Sequence, residues 1–315
     1  MLPRIAVTLG DPRGIGPEIV AKTLSEPPAE ADYVVIGPEE LLQGLPGEHI
    51  SIGTVGKVGK GEGGRGKGTA GKGTFPAKDA GRLAALAVAK AAELALAGEV
   101  DAIVTAPVEK RALHEAGYEY PGHTEWLAEL AGGVDVAMML TTGKLRVVLA
   151  TTHIPLSAVP AAVTIERLLK TGDITRRALE SWWGIEDPRL ALCALNPHAG
   201  EGGLFGDEDE RVLGPAAQEL NAAGPLPADT VFVRALRGEF DAVITPYHDV
   251  GMTAVKVAGF GKGVNVTLGL PFVRTSPDHG TAFDIAGQGI ADAGSMREAV
   301  ALAVRLGGGR PSLGS

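Results

Sequence analysis

Short apolar runs alternate with longer stretches of helical periodicity along most of the chain. Runs at Ile5–Leu9, Tyr33–Ile36, Ala102–Thr105, Val136–Leu140, Leu145–Ala150, Leu190–Leu195, Ala242–Thr245 and Val264–Leu268 read as strands. Helical patterns lie between or after them, at Pro17–Leu24, Asp79–Ala97, Thr124–Ala131, Thr164–Ser181, Glu208–Asn221, Asp229–Arg237 and Met296–Arg305. This alternation predicts βα units around a mainly parallel sheet, covered by helices. Ligands in such folds gather beyond the carboxyl ends of strands, and the polar motifs of this chain sit just after its strands.

A length of 315 residues suits two domains or one large α/β unit. The net charge of -9 argues against a nucleic-acid or anionic-membrane binder, whose footprint would be basic. One cysteine, Cys193, excludes an intrachain disulfide framework and a cysteine-rich zinc site. The longest apolar-looking run, Leu83–Ala97, is interrupted by Lys90 and Glu93, so no membrane span is expected. The opening MLPRIAVTLGD lacks the form of a secretory signal, and a cytoplasmic location is expected. Segment 56–73, GKVGKGEGGRGKGTAGKG, offers no apolar face and reads as a loop; it fails the P-loop template.

Four of the seven histidines stand in turn-rich settings. His153, His198 and His248 each follow a strand and neighbour a proline, while His123 opens a helix. Three imidazoles at three strand ends can converge on a divalent metal. Each can equally cap its own strand end, and spacing alone does not choose. The opening GDPRGIGPEI resembles a glycine-rich nucleotide turn, although a tight βα turn would use the same glycines. Near the C-terminal end, Asn265, Arg274 and His279 fall within fifteen residues, with Lys256 upstream. An acidic chain that gathers these cations suggests a small anionic ligand. No GxSxG elbow or HExxH motif supports a hydrolase.

Eight motifs then occur in order: GDPRGIGPEI, TAPVEK, PGHTEWLA, TTHIPL, NPHAGEGGLFGDED, GPLPADT, PYHD and NVTLGLPFVRTSPDHGTAFDIAG. Together they resemble the 4-hydroxythreonine-4-phosphate dehydrogenase family of pyridoxal phosphate biosynthesis. The DHGTAFDIAG stretch is also similar to the loop that lies against the cofactor adenosine in isocitrate and isopropylmalate dehydrogenases. The resemblance implies an α/β fold of two domains with a cleft between them, expected at 1–125 plus 280–315 and at 126–279. It implies a homodimer whose active site is shared across the interface.

The same resemblance implies that His153, His198 and His248 bind one divalent metal (Zn, Mg, Mn or Co), one of them reaching across the dimer. It implies that His123, Thr124, Lys256, Asn265 and Arg274 hold a small phosphorylated hydroxy-amino acid, and that His279, Gly280, Thr281 and Asp284 meet NAD or NADP. Asp249 and Asp229 are the candidate catalytic acids. The implied reaction oxidises 4-phosphohydroxy-L-threonine at C3 and then decarboxylates it to 3-amino-2-oxopropyl phosphate. Three features depart from the family pattern: Val250 stands where Gln is usual, Arg13 where a small residue is usual, and segment 56–73 is atypical. Alternatives are a 4-phospho-D-threonate or erythronate dehydrogenase, a non-catalytic sugar-phosphate binding protein, and a metal-dependent aldolase or hydrolase.

Overall fold

The computed structural model describes residues 2–55, 75–120, 122–259 and 261–309. The segment 56–73 falls outside these residues. In chain order the strands are β1 (Arg4–Thr8), β2 (Asp32–Gly37), β3 (Glu48–Ser51), β4 (Ala102–Thr105), β5 (Ala137–Thr142), β6 (Leu145–Leu149), β7 (Leu190–Cys193), β8 (Ala223–Leu226), β9 (Ala242–Thr245), β10 (Val264–Leu268) and β11 (Val273–Pro277). The chain divides into two compact units, Met1–Val134 with Leu270–Ser315, and Asp135–Gly269. These bounds differ from the expected 125/126 and 279/280. Helix His123–Leu130 packs on helix Ala77–Leu96, and β11 pairs with β4, so both stay with the first unit.

The first unit has its strands in the order β3-β2-β1-β4-β11, every pair parallel. Its central strands are apolar on both faces; Ile5, Ala6, Val7, Val35, Ile103 and Val104 are fully enclosed. That is what a parallel sheet covered by helices requires. Helix Ala77–Leu96 presents a run of buried alanines, small enough to bring its backbone close to the sheet. Helix Gly294–Gly307 returns the C-terminal end of the chain onto β11, β4 and β1.

The second unit has the order β10-β5-β6-β9-β7-β8. Here β5 is antiparallel to both β10 and β6, whereas β6, β9, β7 and β8 pair in parallel. The pairing is mainly parallel, as expected, and departs from it at one strand, β5. Only Gly143 and Lys144 separate β5 from β6, too few residues for a crossover, so those strands must form a hairpin. The apolar core gathers Leu140, Val147, Leu149, Val243 and Val255. Val250 packs against that core, on the helix His248–Gly259.

Candidate functional site

Two groups of polar residues stand out, one in each unit. In the second unit His153 follows β6, and His248 follows β9 as the first residue of helix His248–Gly259. Because β6 and β9 are parallel neighbours (Leu149 opposite Thr245), their two loops leave the same edge of the sheet. The loops are tied by hydrogen bonds from Ala150 N to Thr245 O (2.9 Å) and from Thr151 Oγ1 to Pro246 O (2.7 Å). Gly251 lets the helix settle on the strands; a Cβ there would come within 2.6 Å of the Leu149 side chain. The outcome is an imidazole pair, with ring centroids 5.5 Å apart.

His248 Nδ1 lies 2.7 Å from Asp249 Oδ1, so the carboxylate fixes the ring and leaves Nε2 as its outward nitrogen. Both histidines line a cleft of about 100 Å³ with Thr151, Tyr247 and Asp249. Burial, followed by the nearby Cys193 and Asp249, raises the Tyr247 phenol above its ordinary value. Val250 does not line this cleft.

His198 does not join the pair. Among the described residues no three His, Cys, Asp or Glu side chains gather as a metal site needs; within one chain the imidazoles brought together are those of His153 and His248. The cause lies in the turn after β7. The enclosed Asp209 carboxylate accepts from Leu195 N (2.8 Å) and Asn196 N (2.9 Å), and Asn196 Nδ2 donates to Glu208 (2.8 Å). His198 and Ala199 then adopt left-handed backbone (φ 52° and 56°), and the imidazole packs beside Phe205. Asp229 is exposed in the first turn of helix Ala228–Leu236 and does not line the cleft of the pair. Lys256 is exposed on helix His248–Gly259, and Asn265 on β10 has an enclosed Oδ1 without a hydrogen-bond partner.

In the first unit, Arg274 on β11 is 2% exposed and donates from Nε (3.1 Å) and Nη2 (2.7 Å) to Thr105 Oγ1 on the neighbouring β4. Burial pushes its guanidinium down to about 10, against the opposing pull of Glu125. His123 and Thr124 begin helix His123–Leu130, and Thr124 is buried. His123 remains partly exposed as a residue, yet its Nε2 is enclosed and has no partner. Burial, then the charges of Arg274 and Lys110, drive this imidazole down to about 3, so it is neutral in physiological conditions. A neutral ring flanked by two cations, with an unused nitrogen, is suited to an anionic, hydrogen-bonding ligand.

The stretch after β11 carries His279, Gly280, Thr281 and Asp284. His279 Nδ1 lies 3.1 Å from Gly280 O, and its Nε2 is enclosed without a partner. Thr281 O accepts from Ile15 N (2.9 Å), while Gly280 has open space where a Cβ would stand and Asp284 is exposed. Sequence reasoning missed Thr105, the support for Arg274, and Tyr247 on the wall of the imidazole cleft. Both fall within quoted motifs, but side-chain direction at a strand end is not written in the motif.

No helix among the described residues is long and apolar enough to cross a membrane. Residues 55–303 match the family described as pyridoxal phosphate biosynthetic protein PdxA. A 4-hydroxythreonine-4-phosphate dehydrogenase of Geobacter metallireducens is 44% identical, over 98% of this chain and 98% of the relative. A D-threonate 4-phosphate dehydrogenase of Salmonella typhimurium is also 44% identical, over 96% of this chain and 98% of its own length. The crystal structure of the 4-hydroxythreonine-4-phosphate dehydrogenase of Klebsiella pneumoniae superposes with a TM-score of 0.82 at 39% identity, covering 97% of this chain and 99% of that one. The chain belongs to the PdxA family of dehydrogenases.

Proposed function

We propose that this chain catalyses the NAD(P)-dependent oxidation of 4-phosphohydroxy-L-threonine at C3, with loss of CO2 to give 3-amino-2-oxopropyl phosphate, in the cytoplasm. The observation that carries the reading is the imidazole pair of His153 and His248, 5.5 Å apart at the ends of adjacent parallel strands. Two imidazoles beside a carboxylate form a donor set that fits a divalent cation of the Zn, Mn, Co or Mg class. His198 is the third proposed ligand, supplied by the second copy of a homodimer. When bound, the cation would supply Lewis acidity at the substrate hydroxyl, and a nicotinamide would supply the oxidising capacity.

The remaining work falls to side chains. Arg274 and Lys256 hold the phosphate, so that remote binding energy orients the reacting carbon. His123 Nε2, neutral and unpartnered, accepts a hydrogen bond from the substrate, with Thr124 and Asn265 completing its polar contacts. Asp249 takes the hydroxyl proton, and Asp229 is the alternative base. His279, Gly280, Thr281 and Asp284 line the path of the dinucleotide.

A second reading, oxidation of D-threonate 4-phosphate, has support from the relative of that name at equal identity. The Val250 departure does not favour it, because that side chain packs into the core. Offering both substrates with NAD or NADP and a divalent cation, and following absorbance of the reduced nicotinamide, decides between them. Turnover of the hydroxythreonine phosphate that stops on chelation is expected. Turnover of the threonate phosphate alone would reassign the substrate, and no reduction with either would overturn the oxidoreductase reading.

A further inference from the structure

The turn after β1 does more than join a strand to a helix. Asp11 is fully enclosed and its N–H donates to Pro107 O (2.9 Å), which docks this turn on the segment after β4. Arg13 folds back on it: Arg13 N and Nε reach Asp11 Oδ1 (2.9 and 3.0 Å), and Nη2 reaches Asp11 Oδ2 (2.7 Å). The same Nη2 donates to Glu109 Oε2 (2.6 Å). These bonds, that to Asp11 foremost, hold the guanidinium above its ordinary value. Its central carbon Cζ lies over the ring of Phe283, 5.2 Å from the centroid.

Phe283 belongs to the 281–291 loop, which is fastened at both ends. At the near end Ile15 N donates to Thr281 O, and Gly14 allows close approach, since a Cβ there would lie 2.9 Å from that oxygen. At the far end Glu18 accepts from Gly289 N (3.2 Å) and Ala291 N (2.8 Å), while Lys22 Nζ donates to Gly289 O (2.9 Å) and Ala291 O (2.7 Å). Between these fastenings Ala282 is held at φ 41°, a left-handed conformation that a non-glycine residue keeps only when its surroundings impose it. Arg13 over Phe283 is one contact that bears on that span, beside the bonds from Ile285 N to Ala282 O and from Gln288 Nε2 to Asp284 O. A guanidinium already fixed by two carboxylates loses little freedom in stacking, so it makes a rigid platform.

We propose that Arg13 is a positioning residue for the nicotinamide dinucleotide: through Phe283 it sets the shape of the 281–289 loop. The inference rests on the proposed assignment of that loop to the dinucleotide. Arg13 acts through the loop, with its Nε and Nη2 held by Asp11 and Glu109.

The test uses full-length Arg13→Lys, which keeps a charge beside the enclosed Asp11 but loses the guanidinium over Phe283 and the fork. Phe283→Leu is the second variant, and leaves the ion cluster intact. Direct titration with NADH and NADPH, steady-state kinetics, and amide hydrogen exchange are compared with the parent. Arg13→Lys is expected to weaken dinucleotide binding and raise its KM about tenfold, the scale of one desolvated cation–aromatic contact. Phe283→Leu is expected to do so about threefold. Exchange in 281–289 should quicken in both, with the KM for the phosphorylated substrate within about twofold of the parent's.

A purely structural role would lower the unfolding temperature without moving dinucleotide affinity, and that result overturns the proposal. Unchanged exchange in the loop overturns it as well. Parent protein that binds neither NADH nor NADPH overturns the oxidoreductase reading and this inference together, whereas parent binding with unaltered variant affinity sinks the inference alone.

Discussion

The two units take the same βα logic to opposite electrostatic ends. In the first, an all-parallel sheet holds a buried guanidinium, Arg274, and a neutral His123 is pressed between positive charges. In the second, a hairpin strand joins the parallel ones, and the polar groups of note are imidazoles and the exposed Asp249 carboxylate. In the first unit Arg274 and the ring nitrogen of His123 thus lie deep, where field lines are little screened, whereas in the second the imidazole pair and Asp249 lie at a rim. Depth has a cost: an enclosed cation is retained at the expense of stability, whereas donors at a rim are nearly free of that penalty.

The comparison can be broken in four ways. The largest effect is expected from His153→Ala or His248→Ala, with turnover falling at least about 100-fold, beyond what loss of a ligand's supporting partner brings. Calorimetric titration with Mn should show the same loss, while affinity for a phosphorylated substrate analogue holds; retained metal binding would disprove the rim assignment. Next comes Arg274→Met. Losing hydrogen bonds from a charged group, each about 1.5–3 kcal/mol, should lower kcat/KM by about 10- to 100-fold. The unfolding temperature should hold or rise as the buried cation leaves, and a sharp fall would mean that Arg274 is structural.

The third effect is a pH dependence. His123 sits near 3 in the folded chain against an ordinary 6.5, so the unfolded chain binds a proton there that the folded one refuses. Its contribution is complete above about pH 6.5 and is lost as pH falls toward about 3. Urea midpoints should decline over that window, and His123→Gln should flatten the decline; an identical slope in the variant would refute the enclosed neutral ring. The smallest effect belongs to the exposed pair of Arg4 and Glu48, 2.6 Å apart. Glu48→Gln should cost less than about 1 kcal/mol in denaturant titrations, and less still in salt.

Much of this plan was legible in the pattern of residues. The buried strands β1, β4 and β9 announce themselves as short apolar runs and β10 as an alternating one, and the helices over 77–96 and 165–183 as long amphipathic ones. Elements without that signature escaped. Strand β11, VRTSP, has a single large aliphatic residue, and its burial comes from partners distant in sequence. The helix over 248–259 holds Gly251 and Gly259 and several β-branched residues, all weak helix formers, so packing on the sheet decides it. At the candidate sites, residue types could be picked out but their meeting could not. His153 and His248 meet because β6 and β9 are neighbours, whereas His198 is turned toward Phe205 by the bonds of a carboxylate eleven residues later in the chain.

The first unit is assembled from two separated stretches of chain, with β11 and the helix over 294–307 arriving after the whole of 135–269. During synthesis the second unit is complete while the first still lacks one edge strand and a covering helix. The apolar flank of β4 must therefore wait, through more than a hundred further residues of translation, for its neighbour to emerge. A nascent chain that has emerged only as far as residue 270 would carry a finished second unit and an open, adhesive sheet edge, the natural point of engagement for a chaperone.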